Sequence, residues 1–275
     1  MNYIVEIQKA INYIEENLEE DITYEKVAKE IGMSSFYFHR IFSAIVGTSP
    51  AGYIRNRRLT CAADELSRSN TPIIDIAIKY GFESNESFSR AFTKFHGITP
   101  KQAKKKGEQL KVFSKINLSL TIEGGSIMNY RIEKKGAFKI EAIVKEFNLQ
   151  TSKHEIPKFW EEIKESKKLE EIAKDASKCV MGICLGESQA QNFRYGIGAE
   201  LEKDEEKMKE TEIIEVPESL WVVFQCEGQK PEDIHELWQK IYKEYFVTSE
   251  YKQSMDIDFE LYDSKNTEIW IPISK

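Results

Sequence analysis

Two sets of side chains in this 275-residue chain have types and spacings that could do chemistry. The first lies in a block that occurs twice. Residues 28–50 read AKEIGMSSFYFHRIFSAIVGTSP and residues 77–100 read AIKYGFESNESFSRAFTKFHGITP. On a helical period, Phe36, His39, Arg40 and Ser43 in the first copy fall opposite an apolar stripe of Phe38, Ile41, Phe42 and Ile45, and Ser35 at the start of that helix is a further base-reading candidate. Asn85, Glu86, Ser89 and Arg90 do the same in the second, opposite Phe88, Ala91, Phe92 and Phe95. Arginine bonds guanine bidentately, asparagine adenine, and glutamate a cytosine amine, while an exposed Phe36 could press on a thymine methyl. The second set alternates along two strand-like segments, Asp258, Glu260 and Tyr262 in one, Glu268 and Trp270 in the other. If the apolar residues between them face a core, these carboxylates and rings meet on one surface, a combination that suits an organic cation. The competing readings are solvated helix faces for the first set and the wet face of an antiparallel sheet for the second.

The repeated block must position the first set. Ala28 pairs with Ala77 and Gly32 with Gly81 at an offset of 49. Phe38 pairs with Phe88, Arg40 with Arg90, Phe42 with Phe92, Gly47 with Gly97 and Pro50 with Pro100 at an offset of 50. Such a repeat is one supersecondary unit used twice. Thr23 is a candidate cap for a helix to Ile31, Gly32 ends it, and Ser34 or Ser35 caps the next, to about Val46. The second copy repeats the pattern from Ile73 to about His96. Two short helices about a glycine-containing turn make a helix-turn-helix, whose second helix enters the DNA major groove.

Ala28, Gly32, Ser34, Arg40, Phe42, Gly47, Pro50, Tyr53, Arg58, Ala62, Ile76, Gly81, Phe88, Arg90, Phe92, Gly97 and Pro100 together resemble the AraC/XylS family of transcription regulators over residues 3–106. The resemblance implies an all-α, homeodomain-like tandem helix-turn-helix with a rigid joining helix near Pro50–Ser67. It also implies promoter DNA as a partner and two different half-sites, since the reading residues of the two copies differ. One departure is Ala103-Lys104, where the family often carries a Tyr-Arg pair. Charge fits this division. The whole chain is at −7, but residues 34–111 hold 13 basic and 6 acidic side chains, and residues 112–275 carry −9. Arg55, Arg57, Lys94, Lys101, Lys104 and Lys105 are candidate phosphate contacts.

Beyond residue 111 the pattern changes from helical to alternating. Strands are expected at Lys115–Ile122, after which Gly124-Gly125 turns, then near Tyr130–Lys135, Lys139–Glu146, Lys178–Leu185, Phe193–Ala199, Leu220–Cys226, Asp258–Tyr262 and Glu268–Ile273. Helices are expected at Ile156–Ala173 and Ile234–Phe246. Strands with one helix in each half point to an α+β domain. The expected boundaries are 1–111 and 112–275. Met128–Ile132, Trp160, Leu237-Trp238, Tyr245-Phe246, Phe259–Tyr262 and Ile269–Ile273 resemble the GyrI-like (Rob-type) effector-binding domain, with two pseudo-symmetric sheet-helix halves. That resemblance implies a groove for a hydrophobic or cationic small molecule and an important acid at Glu260, with Tyr262, Glu268, Trp270, Trp221 and Tyr195 as groove candidates.

The sequence holds no paired CxxC, no metal-spaced histidines, no phosphate loop and no Ser-His-Asp order, so no catalytic residue, metal or cofactor is expected. Cys61, Cys179, Cys184 and Cys226 read as reduced thiols in a cytoplasmic protein without a membrane span. The expected function is a ligand-responsive transcriptional regulator with RNA polymerase as a further partner. Two alternatives stay open: a GyrI-like hydrolase fused to a DNA-binding module, with Glu260 and Tyr262 as an acid-base pair, and a protein-binding C-terminal domain.

Overall fold

A computed structural model describes residues 3–105, 107–118, 127–166, 168–172, 179–189, 191–201, 210–228, 230–263 and 266–275. These fall into two compact units. One comprises Ile4–Met33 and the chain from Ile41 through residue 118; the other joins Tyr3 and Ser34–Arg40 to the residues from 127 onward.

The helices run α1 (Tyr3–Glu16), α2 (Tyr24–Glu30), α3 (Ser35–Val46), α4 (Pro50–Arg68), α5 (Ile73–Lys79), α6 (Asn85–His96) and α7 (Pro100–Ala103). Their ends follow from local chemistry. The Thr23 hydroxyl accepts from the Lys26 amide at the start of α2. Ser34 caps α3, its hydroxyl accepting from the Tyr37 amide. Ser84 and Ser87 form a reciprocal capping box on α6, and Thr99 with Gln102 another on α7. Gly81 turns the chain at φ +75°, which favours glycine, and a Cβ there would lie 2.5 Å from the Arg58 guanidinium and push it aside. The shared residues of the repeat are its scaffold. Ala28, Ala77, Phe38, Phe88, Phe42 and Phe92 are all fully buried. In the second copy Phe88 and Phe92 pack with Leu59, Ala62, Leu66, Ile76 and Tyr80 in one core.

The strand expected over Lys115–Ile122 does not form at 115–118; its remainder, and Gly124-Gly125, lie outside the described residues. The physical reason is that this segment's amides have other acceptors. The Lys111 amide donates to His96 Nδ1, Phe113 to Thr60 Oγ1, Ile116 to Tyr53 Oη and Leu118 to Gln8 Oε1.

The other unit is α+β. Its elements in order are β1 (Tyr130–Lys135), β2 (Phe138–Asn148), α8 (Ser152–Glu165), α9 (Lys168–Ile172), β3 (Val180–Gln189), β4 (Asn192–Glu200), β5 (Glu212–Val216) and β6 (Ser219–Cys226). Then come α10 (Pro231–Lys240), a π-helical turn at Ile241–Tyr245, α11 (Phe246–Thr248), β7 (Lys252–Gln253), β8 (Asp258–Tyr262) and β9 (Thr267–Ser274). The single long helix expected at Ile156–Ala173 is therefore two, and starts earlier. Strand β5 has no counterpart in the sequence reading.

The antiparallel sheet runs β1-β6-β9-β8-β3-β4-β2-β5, with β7 on β9. The order contains the same motif twice: β2, α8, β3, β4 on one side and β6, α10, β8, β9 on the other, meeting where β3 pairs with β8. Gly182 and Glu260 are partners across this seam, so one half places a glycine where the other places a glutamate. On one sheet face, Phe159 and Ile163 of α8 pack with Phe147, Phe193, Tyr195 and Ile197. The opposite face carries its own apolar cluster, with Trp221, Phe259, Trp270, Met181 and Ile183.

Candidate functional site

In the second repeat the candidate reading residues lie at the surface of α6. Asn85, Glu86 and Arg90 are exposed on α6 and Ser89 is half-exposed. Among the candidate phosphate contacts, Arg55, Lys94, Lys101 and Lys105 are exposed. Two others are engaged within the fold. Arg57 forks onto Glu15, with Nε to Oε1 at 2.7 Å and Nη2 to Oε2 at 2.8 Å. Lys104 donates to the Thr71 carbonyl.

The first repeat differs, and the expectation of an exposed Phe36 is corrected. Phe36 is 2% exposed and packs on Phe193 with ring centroids 5.1 Å apart. His39 is also buried, and burial together with Arg40 pushes its pKa down to about 4. Arg40 donates from Nη1 to Asp258 Oδ2 at 2.6 Å, and its guanidinium carbon lies 4.2 Å from the Trp238 ring centroid and 5.4 Å from that of Tyr242. Ser34 donates to Asp256. Ser35 and Ser43 are half-buried.

The strand candidates divide between the two faces of the sheet, which overturns the single shared surface expected for them. Phe259 stands opposite Trp270, Glu260 opposite Ile269 and Leu261 opposite Glu268. Glu260 and Tyr262 therefore share a face with Ile269, and Trp270 and Glu268 share the other with Phe259. Alternation holds within each strand, but the register between the strands puts the two sets on opposite faces, because a one-residue shift flips every side chain.

Glu268 accepts both guanidinium nitrogens of Arg131, at 2.6 and 2.9 Å, and the Trp270 indole N–H at 3.0 Å. Trp221 is fully buried in the apolar cluster beside Phe259 and Trp270. Glu268, Trp270 and Trp221 thus lie on the sheet face opposite Glu260, with Trp270 and Trp221 within its apolar cluster.

Glu260, Tyr262 and Tyr195 do come together, beneath α8 and α10. Glu260 Oε1 accepts the Trp238 indole N–H at 2.7 Å and Oε2 accepts the Tyr262 hydroxyl at 2.7 Å. Tyr195 Oη accepts the Trp160 indole N–H at 3.0 Å, and Trp160 meets Tyr262 edge to face at 5.0 Å. Gly182 makes the room: a Cβ there would stand 2.2 Å from Tyr195 Oη and 3.1 Å from Trp160. Each half of the motif thus contributes one tryptophan from its helix, Trp160 from α8 and Trp238 from α10. The π-helical turn after α10 continues the aromatic row, with Trp238, Tyr242 and Phe246 stacked at 5.8 and 5.9 Å. Burial raises the Glu260 pKa, partly offset by its two donors, and raises that of Asp258 against the pull of Arg40.

Trp160, Trp238 and Asp258 are absent from the groove candidates that the resemblance implies. A signal existed for the tryptophans, since each sits at matching places in the two helices. Asp258 was visible only as a strand-parity neighbour of Glu260.

Among the described residues no group of His, Cys, Asp and Glu could hold a metal ion, and no helix is long and apolar enough to cross a membrane.

Residues 131–273 match the family described as integron-associated effector binding protein, and residues 27–106 match a helix-turn-helix domain family. The chain is 47% identical over 100 residues to the uncharacterized HTH-type transcriptional regulator YbfP of Bacillus subtilis (strain 168), a match covering 36% of this chain and 34% of YbfP. It is 36% identical over 96 residues to the multiple antibiotic resistance protein MarA of Escherichia coli (strain K12), covering 35% of this chain and 76% of MarA. The match thus spans only about a third of YbfP but about three quarters of MarA. Among solved structures, SAV2435 bound to tetraphenylphosphonium is similar at a TM-score of 0.48 and 16% identity, over 54% of this chain and 94% of that one. An AraC-type DNA-binding regulator from Chromobacterium violaceum is similar at a TM-score of 0.35 and 28% identity, over 36% and 89%.

Proposed function

Because the chain belongs to the integron-associated effector binding family and carries an AraC-type helix-turn-helix region, we propose that it is a transcriptional regulator whose Glu260 box binds a weakly hydrated organic cation. The observation that carries this reading is the state of Glu260. Its carboxylate sits among two indoles and two phenols and holds two neutral donors, yet no lysine or arginine forms an ion pair with it among the described residues. Leaving a carboxylate in such surroundings is costly unless a positive charge joins it. An organic cation supplies that charge, and the ring faces attract it. In this reading DNA is held by α6 and the basic residues around it, with Arg90, Asn85 and Glu86 at base edges and Arg55, Lys94, Lys101 and Lys105 at phosphates. RNA polymerase is the protein partner and the cytoplasm the location.

A hydrolytic role is disfavoured. Tyr262 spends its proton on Glu260, and burial next to that carboxylate pushes its pKa far above the working range of an acid-base group.

The experiment is calorimetric titration of the full chain with tetraphenylphosphonium. Affinity should rise with pH, because the raised pKa of Glu260 makes a proton the cation's competitor. Glu260→Gln keeps the shape of the box and should remove at least a tenfold share of the affinity together with its pH dependence. Equal binding by wild type and Glu260→Gln at every pH would sink the assignment, and turnover of ester or amide probes would favour the enzyme instead.

A further inference from the structure

The cation-binding surface around Glu260 is already half occupied by the chain's own Arg40. Trp238 is shared between two charges. Its indole N–H points to Glu260, while its ring face lies 4.2 Å from the Arg40 guanidinium carbon. Tyr242, stacked on Trp238 at 5.8 Å, and Phe36 flank the same guanidinium at 5.4 and 5.3 Å. Asp258, two residues before Glu260 on the same face of β8, takes the charge through Oδ2. Asp258 is fully buried, and its Oδ1 has no N–H or O–H donor among the described residues. Guanidinium is a planar, delocalised and weakly hydrated cation. It is therefore the same chemical class as the ligand that the Glu260 box suits, and it rests on the same indole.

We propose that Arg40 is the resident cation of this site, seated in a subsite made by Asp258, Trp238 and Tyr242, and that an effector cation binds by competing with it. This rests on the cation-binding reading of Glu260 and adds to it a competing occupant and a regulatory consequence. Ligands are organic cations with delocalised or alkyl-shielded charge, able to lie on an indole face; compact hydrated ions such as sodium and magnesium do not displace a guanidinium there. The consequence concerns Arg40 itself. It stands at the repeat position equivalent to the exposed Arg90, and it cannot hold Asp258 and a DNA base at once. A cation that takes over Trp238 and Asp258 releases Arg40, so effector and resident arginine are mutually exclusive occupants. A ligand shifts such an equilibrium only by its preference for one state.

The test uses the full chain, its Arg40→Gln variant and its Arg40→Lys variant, each checked for folding by circular dichroism and titrated with tetraphenylphosphonium. Removing the competitor should tighten binding roughly tenfold or more in Arg40→Gln. Arg40→Lys, with a more strongly hydrated charge that stacks less well, should fall between the two. If Arg40→Gln does not fold, a tighter Arg40→Lys supports the proposal and an unchanged one overturns it. Binding that depends on Glu260 yet is equal or weaker in the Arg40 variants overturns the competition while leaving the cation site standing. Absence of binding in wild type and Arg40→Gln alike sinks both.

Discussion

Helices α3 and α6 are built from one repeated sequence and end in different surroundings. Their scaffold positions behave identically: Phe38 and Phe88, and Phe42 and Phe92, are all fully buried. The positions between them do not. At the offset of 50, Phe36 corresponds to Glu86, His39 to Ser89 and Arg40 to Arg90. The first copy therefore carries a large ring and an imidazole where the second carries a carboxylate and a hydroxyl. Burying a phenylalanine side chain stabilises by about 1.5–3 kcal/mol, whereas burying an unpaired carboxylate costs several times that. Repeat identity sets the scaffold, and the few unmatched residues decide whether a reading face stays open.

The largest expected effect tests the part that is equal. Phe42→Ala and Phe92→Ala should each cost about 3–5 kcal/mol in chemical denaturation, since each empties a fully buried ring site. A cost under about 1 kcal/mol in either would break the equivalence of the two scaffolds.

The next effect belongs to the first copy alone. His39 has its pKa pushed down to about 4 from an unfolded value near 6.5. The unfolded chain then takes up a proton that the folded chain refuses, so stability is lost as pH falls through that window. By pH 5 the loss from this group is roughly 2 kcal/mol. Thermal melts of wild type and His39→Asn at pH 7.5 and 5 measure it, and an equal pH response in both proteins refutes the burial argument.

Arg90→Ala should weaken binding to a DNA site selected from random sequence by roughly 1–3 kcal/mol if the residue contacts bases. Its unfolding midpoint should be unchanged, because the side chain is exposed. Unchanged base preference in footprinting would remove α6 as the reading helix. The smallest effect is a stringent control. Glu86→Phe writes the first copy's residue into the second, where the position is exposed, and should alter stability by no more than about 0.5 kcal/mol. A gain of 2 kcal/mol would mean that α6 too has a buried reading face.

The candidate effector site was legible in part. Glu260 and Tyr262 could be paired from alternation along one strand, and Tyr195 was placed with them. Glu268, Trp270 and Trp221 could not be separated from them, because their face depends on how β8 registers with β9. Local alternation determines which residues of one strand share a face. Only the pairing of Tyr262 with Thr267 decides which face of the neighbour they join. Strand β5 escaped for a different reason: Glu212–Val216 is too short and mixed to alternate clearly, and it is a strand because β2 offers it an edge.

Features that act over a few residues are written in the amino-acid order alone. These are the glycine turns, the serine and threonine caps, the helical stripes of the repeat and the alternation of the strands. Tertiary structure decided what depends on partners far along the chain. Arg40 meets Asp258 across 218 positions, and Trp160 of one sheet-helix copy meets Tyr262 of the other only because the two copies join at the β3–β8 seam. The physical reason is one of range. Torsional preference and capping are satisfied locally, whereas burial of a charge or a ring depends on what the rest of the chain brings to it.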